Sequence, residues 1–186
     1  MKKATTLFLV SGMFIALTAF TLSPSGSPEY VGSKSCKGCH KSAKGGKAYP
    51  KWESTSHANA FKTLQTPEAD KIAADKGFTT KAAETDNCLS CHVTGMNVEG
   101  AAFHKKFKKE EGVGCESCHG AASGYKMKHS KAAQKEAAKA AGFSLPNISD
   151  GSAEALCITC HNENSPTYKP FDLKEKWSKI EHGLPE

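Results

Sequence analysis

Apolar residues recur along this chain in short bursts separated by glycine, serine and lysine, and the spacing within each burst predicts a set of brief helices. Trp52, His57, Phe61 and Leu64 fall on one helical face, which predicts a helix over 52–64. Thr66, Pro67 and Glu68 read as an N-cap, a first-turn proline and an acidic first turn, with Gly77 closing the segment. Residues 130–141, rich in alanine and lysine and followed by Gly142, predict another helix. Asp150 or Ser152 opens a turn or two, and Asp172 with Glu175 makes a capping box for a last helix ending at His182-Gly183. Strict alternation is lacking; residues 96–103 are expected to form at most a small extended hairpin arm. The expected fold is mainly α with much irregular chain.

The first apolar burst is of another kind. Met1-Lys2-Lys3 precedes a run over 7–20, broken by Ser11, Gly12 and Thr18, and a Ser/Pro/Gly stretch follows over 23–28. The run is shorter than the ~20 residues a spanning helix needs, so it reads as a secretory signal. Residues 1–26 are expected to be a leader and 27–186 one exported, periplasmic domain. Membrane contact is expected only through the leader, if it stays uncleaved. No cysteine follows the run, which excludes a bacterial lipid anchor.

Composition sharpens the question of what fills the core. Aromatic residues make up 8% of the chain, which promises a thin core, yet there are eight cysteines and eight histidines. Outside the cytoplasm four disulfides would be the default. The spacing overturns that default: the cysteines fall in Cys36-x-x-Cys39-His40, Cys88-x-x-Cys91-His92, Cys115-x-x-Cys118-His119 and Cys157-x-x-Cys160-His161, with none left over. Two thiols three positions apart reach the two vinyl groups of one heme as thioethers, and the next imidazole reaches the iron. About 0.015 such motifs are expected by chance in a chain of this composition, so the fourfold repeat is a strong signal. Zinc ribbons need no histidine after each second cysteine, and gaps of 52, 27 and 42 residues between the motif histidines fit no common zinc module. A thioredoxin-type pair would occur once, and disulfides within Cys-x-x-Cys would be strained. The four motifs call for four covalently bound heme c groups, which also supply the apolar bulk that the chain lacks.

A proximal histidine leaves one axial position on each iron, and its occupant decides between electron wire and catalyst. Four histidines lie outside the motifs: His57, His104, His129 and His182. The matching count suggests two imidazoles per iron throughout, although His104 sits in the lysine-rich run 103–109, where a solvated face competes with a ligand role. Met96 and Met127 are the only methionines beyond the leader, and imidazoles in matching number take precedence over them.

At this point the chain resembles the tetraheme cytochrome c-554 family, which accepts electrons from hydroxylamine oxidoreductase in ammonia oxidisers. The resemblance rests on residues 36–41, Trp52 with His57-Ala58-x-Ala60, residues 88–93 with Gly95, the run 112–120, and Ser165-Pro166. It implies that His129 is the distal ligand of the first heme, His57 of the third and His182 of the fourth. It also implies a five-coordinate second heme, on Cys88, Cys91 and His92, that binds small ligands such as nitric oxide. Nothing in the family corresponds to His104. In the family's distal pocket, over 168–171, Phe171 is retained and Lys169 replaces a threonine, a departure that weighs against an open pocket. The chain also stops soon after His182, short of the family's longer C-terminal part.

Three functions compete. The first is a periplasmic electron carrier passing electrons through four hemes between a redox protein donor and acceptor. The second is an enzyme reducing nitric oxide or a related nitrogen species at the second heme, for which a general base and a substrate cleft would be required. The third is a subunit of an extracellular heme filament in which His104 serves a neighbouring copy. No catalytic residue is assigned on the first reading. Nucleic acid is not an expected partner: all 25 basic residues are lysine, and arginine is the usual reader of guanine and phosphate. The formal charge of +6 falls to +4 without Lys2 and Lys3, and oxidised hemes at about −1 each bring the holoprotein close to neutral.

Overall fold

A Cys-x-x-Cys-His run needs one helical turn to bring both thiols to one side, and each run lies on or beside such a turn. The computed structural model describes residues 26–170 and 172–183. Helix α1 (Lys37–His40) holds the first motif, α5 (Asp86–His92) the second, α6 (Cys115–His119) the third, and α8 (Ser152–Cys157) leads into the fourth. In the first and fourth, the histidine N–H donates to the carbonyl of the leading cysteine, at 3.1 Å for His40 on Cys36 and 2.9 Å for His161 on Cys157. The remaining helices are α2 (Ala48–Glu53), α3 (Ala60–Thr63), α4 (Pro67–Asp75), α7 (Lys135–Ala140) and α9 (Leu173–Ile180).

The capped helices form where local chemistry places them. Thr66 Oγ1 accepts from Ala69 N–H at 3.2 Å to open α4, and Gly77 ends that segment at φ +84°. Asp172 accepts from Glu175 N–H at 2.7 Å, but the Glu175 carboxylate pairs with Lys179 and Lys176 instead of completing the capping box. Helix α9 stops at Ile180, ahead of His182, where Glu181 turns out of helical geometry at ψ 144°. The helix expected over 52–64 is broken: α2 ends at Glu53, a 3-10 turn covers His57–Asn59, and α3 follows. The Ser54 and Thr55 hydroxyls donate to the carbonyls of Lys51 and Trp52, at 2.8 and 2.7 Å, competing with the helical ladder. The helix expected over 130–141 begins as a 3-10 turn at Ala132–Gln134 and becomes α-helical only at Lys135.

The expected hairpin arm is absent. Instead β2 (Ala102–Phe103) pairs in parallel with β1 (Glu29–Tyr30), and His104 N–H donates to the Tyr30 carbonyl at 3.0 Å. This pair ties the start of the described chain to the segment following the second motif.

Among the described residues no large side chain is fully buried. One small cluster joins Phe61, Leu64, Ala73, Ala82, Leu89 and Val93; another joins Val31, Ala122, Tyr125 and Ala138. The core is as thin as the aromatic share implied. The expected leader lies outside the described residues except for Gly26, and Phe171 also lies outside them. No helix among the described residues is long and apolar enough to cross a membrane.

Candidate heme-attachment site

The eight cysteines form no disulfides with one another and lie in neighbouring groups drawn from different motifs. The Cys36 sulfur is a close neighbour of Cys115, and Cys91 of Cys160. Cys118 lies within electrostatic range of Cys157 and Cys160, and burial pushes its thiol up to about 11. The spatial order of the motifs is therefore first, third, fourth, second, not their order along the chain.

Six of the eight histidines lie in three pairs of neighbouring rings. His40 and His129 have ring centres 5.9 Å apart, His57 and His161 6.0 Å, and His119 and His182 5.8 Å. Direct stacking would bring the rings nearer. Two imidazoles on one metal, with bonds of about 2 Å and ring centres about 1.1 Å behind the nitrogens, stand about 6 Å apart. The spacing of the three pairs is that of two axial ligands. The first pair is the one implied by the family resemblance. The other two are exchanged: the resemblance put His57 with the third motif and His182 with the fourth, and the folded chain sets His57 beside His161 and His182 beside His119. The broken helix at Ser54 and Thr55 sets the direction in which His57 leaves the chain, which an unbroken helical face does not reproduce.

Hydrogen bonds orient the rings. Nδ1 of His40 lies 3.1 Å from the Gly45 carbonyl oxygen, Nδ1 of His92 2.7 Å from that of Ala60, and Nδ1 of His119 2.8 Å from that of Ser144. His129 Nδ1 lies 3.3 Å from the Tyr125 carbonyl. A carbonyl accepts only from N–H, so these contacts place the proton on Nδ1 and leave the Nε2 lone pair for a metal. Burial lowers the pKa of His57, His119 and His161, with the nearby His161 ring adding to the effect at His57, which favours the neutral, metal-binding form.

His104 has the reverse arrangement. Its Nδ1 accepts from Lys106 N–H at 3.2 Å, which places its proton on Nε2, and no motif histidine faces it among the described residues. His92 likewise has no ring opposite it among the described residues, although Thr63 Oγ1 joins the Ala60 carbonyl at its Nδ1, 3.2 Å away.

One further residue holds this arrangement together and has only a faint sequence signal, a charge between two heme-attaching cysteines. Glu116, inside the third motif, is 2% exposed and accepts N–H bonds from Val31, Gly32 and Ala122 at 2.7–3.0 Å. It joins the motif to the segment leading to Cys36. Burial pushes its carboxyl above the usual range, against the pull of those N–H groups. The carbonyls of Gly45, Ala60 and Ser144 have no sequence signature at all, since every residue carries one.

Comparison with known proteins agrees with this chemistry. Residues 35–120 match the family described as cytochrome c554 and c-prime. Cytochrome c-554 of Nitrosomonas europaea is 30% identical over 181 residues, covering 88% of this chain and 73% of that protein. No solved structure matches the chain. Identity of that extent, on the motif order already described, makes the chain a member of the cytochrome c-554 family, a c-type cytochrome with covalently bound heme c.

Proposed function

We propose that the protein is an exported electron carrier holding four hemes, one on each Cys-x-x-Cys-His motif. His40 with His129, His119 with His182, and His161 with His57 would each hold one iron through two imidazoles, and His92 would hold the other. Bound there, the irons supply one-electron redox sites in the order first, third, fourth, second. The observation carrying this reading is the triple recurrence of ring pairs 5.8–6.0 Å apart. Backbone carbonyls fix three of the four motif rings, His40, His92 and His119, in the tautomer that a metal requires. Large apolar residues left exposed beside the motifs, among them Ile158 in the fourth and Leu145 next to Ser144, fit against a flat apolar group. Export is supported by the leader pattern over 1–26 and by heme attachment, which in bacteria belongs outside the cytoplasm.

Mass spectrometry of the purified holoprotein is expected to show the polypeptide plus four hemes, with the leader removed. Its oxidised EPR spectrum is expected to show three low-spin irons. A count below four, or a spectrum with fewer than three low-spin irons, overturns the reading.

The lack of a ring opposite His92 favours a second reading for that position alone. A heme held by Cys88, Cys91 and His92 would have no second imidazole from the described residues and could take a small ligand such as nitric oxide. A high-spin signal that nitric oxide abolishes supports it; a wholly low-spin spectrum indifferent to nitric oxide rules it out. Since His104 carries its proton on Nε2, it belongs to neither ligand set, and a filament built through it loses its bridging residue.

A further inference from the structure

Charge is unevenly divided between the two ends of the motif order. There is no Asp or Glu between Glu29 and Glu53, nor between Glu116 and Glu136. The first interval carries the first motif and the second carries His129, and the two meet where His40 faces His129. Lys126 in the second interval also lies within electrostatic range of Cys36 in the first. Lys37, Lys41, Lys44, Lys47, Lys126 and Lys131 are all exposed around it. Among the described residues only Lys37 of these has an acidic neighbour, Glu53 at 3.9 Å. At the other end, the stretch 68–86 leading into the second motif holds five acidic residues against three lysines.

The basic face also carries one exposed apolar side chain. Met127, between Lys126 and Lys128, is 73% exposed, the most exposed large apolar side chain described. A face rich in exposed, largely unpaired lysines suits brief association with an acidic surface: long-range charge speeds encounter, and little buried area allows release.

Building on the carrier reading above, we propose that this face is the docking surface for an acidic electron-transfer protein, which exchanges electrons at the first motif. When the partner is the donor, it loses one electron and the iron on that motif passes from ferric to ferrous, with no bond or proton exchanged. The lysine run 105–109 is a weaker candidate, because Glu99 and Glu110 are exposed on the same stretch.

The test follows reduction of the oxidised holoprotein by a reduced plant-type ferredoxin, an acidic iron–sulfur carrier, in stopped flow over a range of salt. The wild-type rate constant is expected to fall roughly tenfold or more between low and physiological salt. Combined K41E, K44E, K47E and K126E is expected to lower the low-salt rate at least about tenfold and to flatten the salt dependence. Combined K105E, K106E and K108E should leave both nearly unchanged. Heme content and reduction by dithionite check that each variant is intact. An unchanged rate in the first variant, or an equal loss in the second, overturns the docking surface. So does binding of the wild type to anionic phospholipid vesicles through these lysines with the ferredoxin rate unmoved. Failure of dithionite to reduce the wild-type hemes would instead sink the carrier reading itself.

Discussion

The rings of His40 and His129 lie within 14° of parallel, whereas the His57–His161 and His119–His182 pairs cross at 53° and 59°. In a low-spin ferric site, parallel imidazole planes interact with one iron d orbital and split it from its partner, while crossed planes act on both and leave them closer in energy. The oxidised holoprotein is expected to give one rhombic EPR signal and two of larger anisotropy. Replacing His129 with alanine should delete the rhombic signal and create a high-spin one. Loss of a different signal would assign His129 to another iron.

Gly112 ties two sites together. At φ +66°, a Cβ here would stand 2.6 Å from the His57 carbonyl oxygen and 3.1 Å from Ala60 N. Ala60 in turn orients His92 through its carbonyl. Gly112→Ala adds a positive-φ penalty to a backbone clash, an expected loss of about 2–4 kcal/mol. Gly77→Ala, also at positive φ but with nothing within 4 Å of the new atom, isolates the first effect at about 1 kcal/mol. Denaturant midpoints compare them, and only Gly112→Ala should alter the spin state at the fourth motif. Equal losses in both would show that the backbone yields to the clash.

The residues that the chain announces are those whose chemistry is local. Thr66, Pro67 and Gly77 act within one helix, and each Cys-x-x-Cys-His run fits in one turn, so both can be read from spacing. The partner of His57 cannot: His161 lies 104 positions away, and the face on which His57 emerges depends on two hydroxyls interrupting a helix. Glu116 acts across 85 positions on Val31, and its acceptor role depends on burial that no pattern encodes. Weak strand signals similarly hid a parallel pair, because β1 and β2 are two residues each, too short to show an alternating pattern.

His104 is the residue for which residue counting and geometry differ. Four spare histidines for four irons suggested a ligand, yet its Nδ1 accepts from Lys106 N–H. His104→Ala is expected to leave the number of high-spin and low-spin irons unchanged, with a stability loss of about 1 kcal/mol for a half-buried ring and its local hydrogen bond. A new high-spin iron in that variant would restore it to the ligand set.

Glu116 allows burial and hydrogen bonding to be weighed against each other in one side chain. Glu116→Gln keeps one acceptor but turns an amide N–H2 toward backbone N–H groups from Val31, Gly32 and Ala122, an expected cost of about 1–3 kcal/mol. The wild-type carboxyl is raised by burial, so the folded state holds its proton to higher pH than the unfolded state does. Its contribution is then fully present below the unfolded carboxyl value of about 4.3 and is lost as pH rises through the folded one. Glutamine does not titrate. The stability gap between wild type and Glu116→Gln, measured by denaturant unfolding, should therefore be widest in acid and narrow as pH rises. A gap that widens instead would mean that the three backbone donors outweigh the cost of burying the charge.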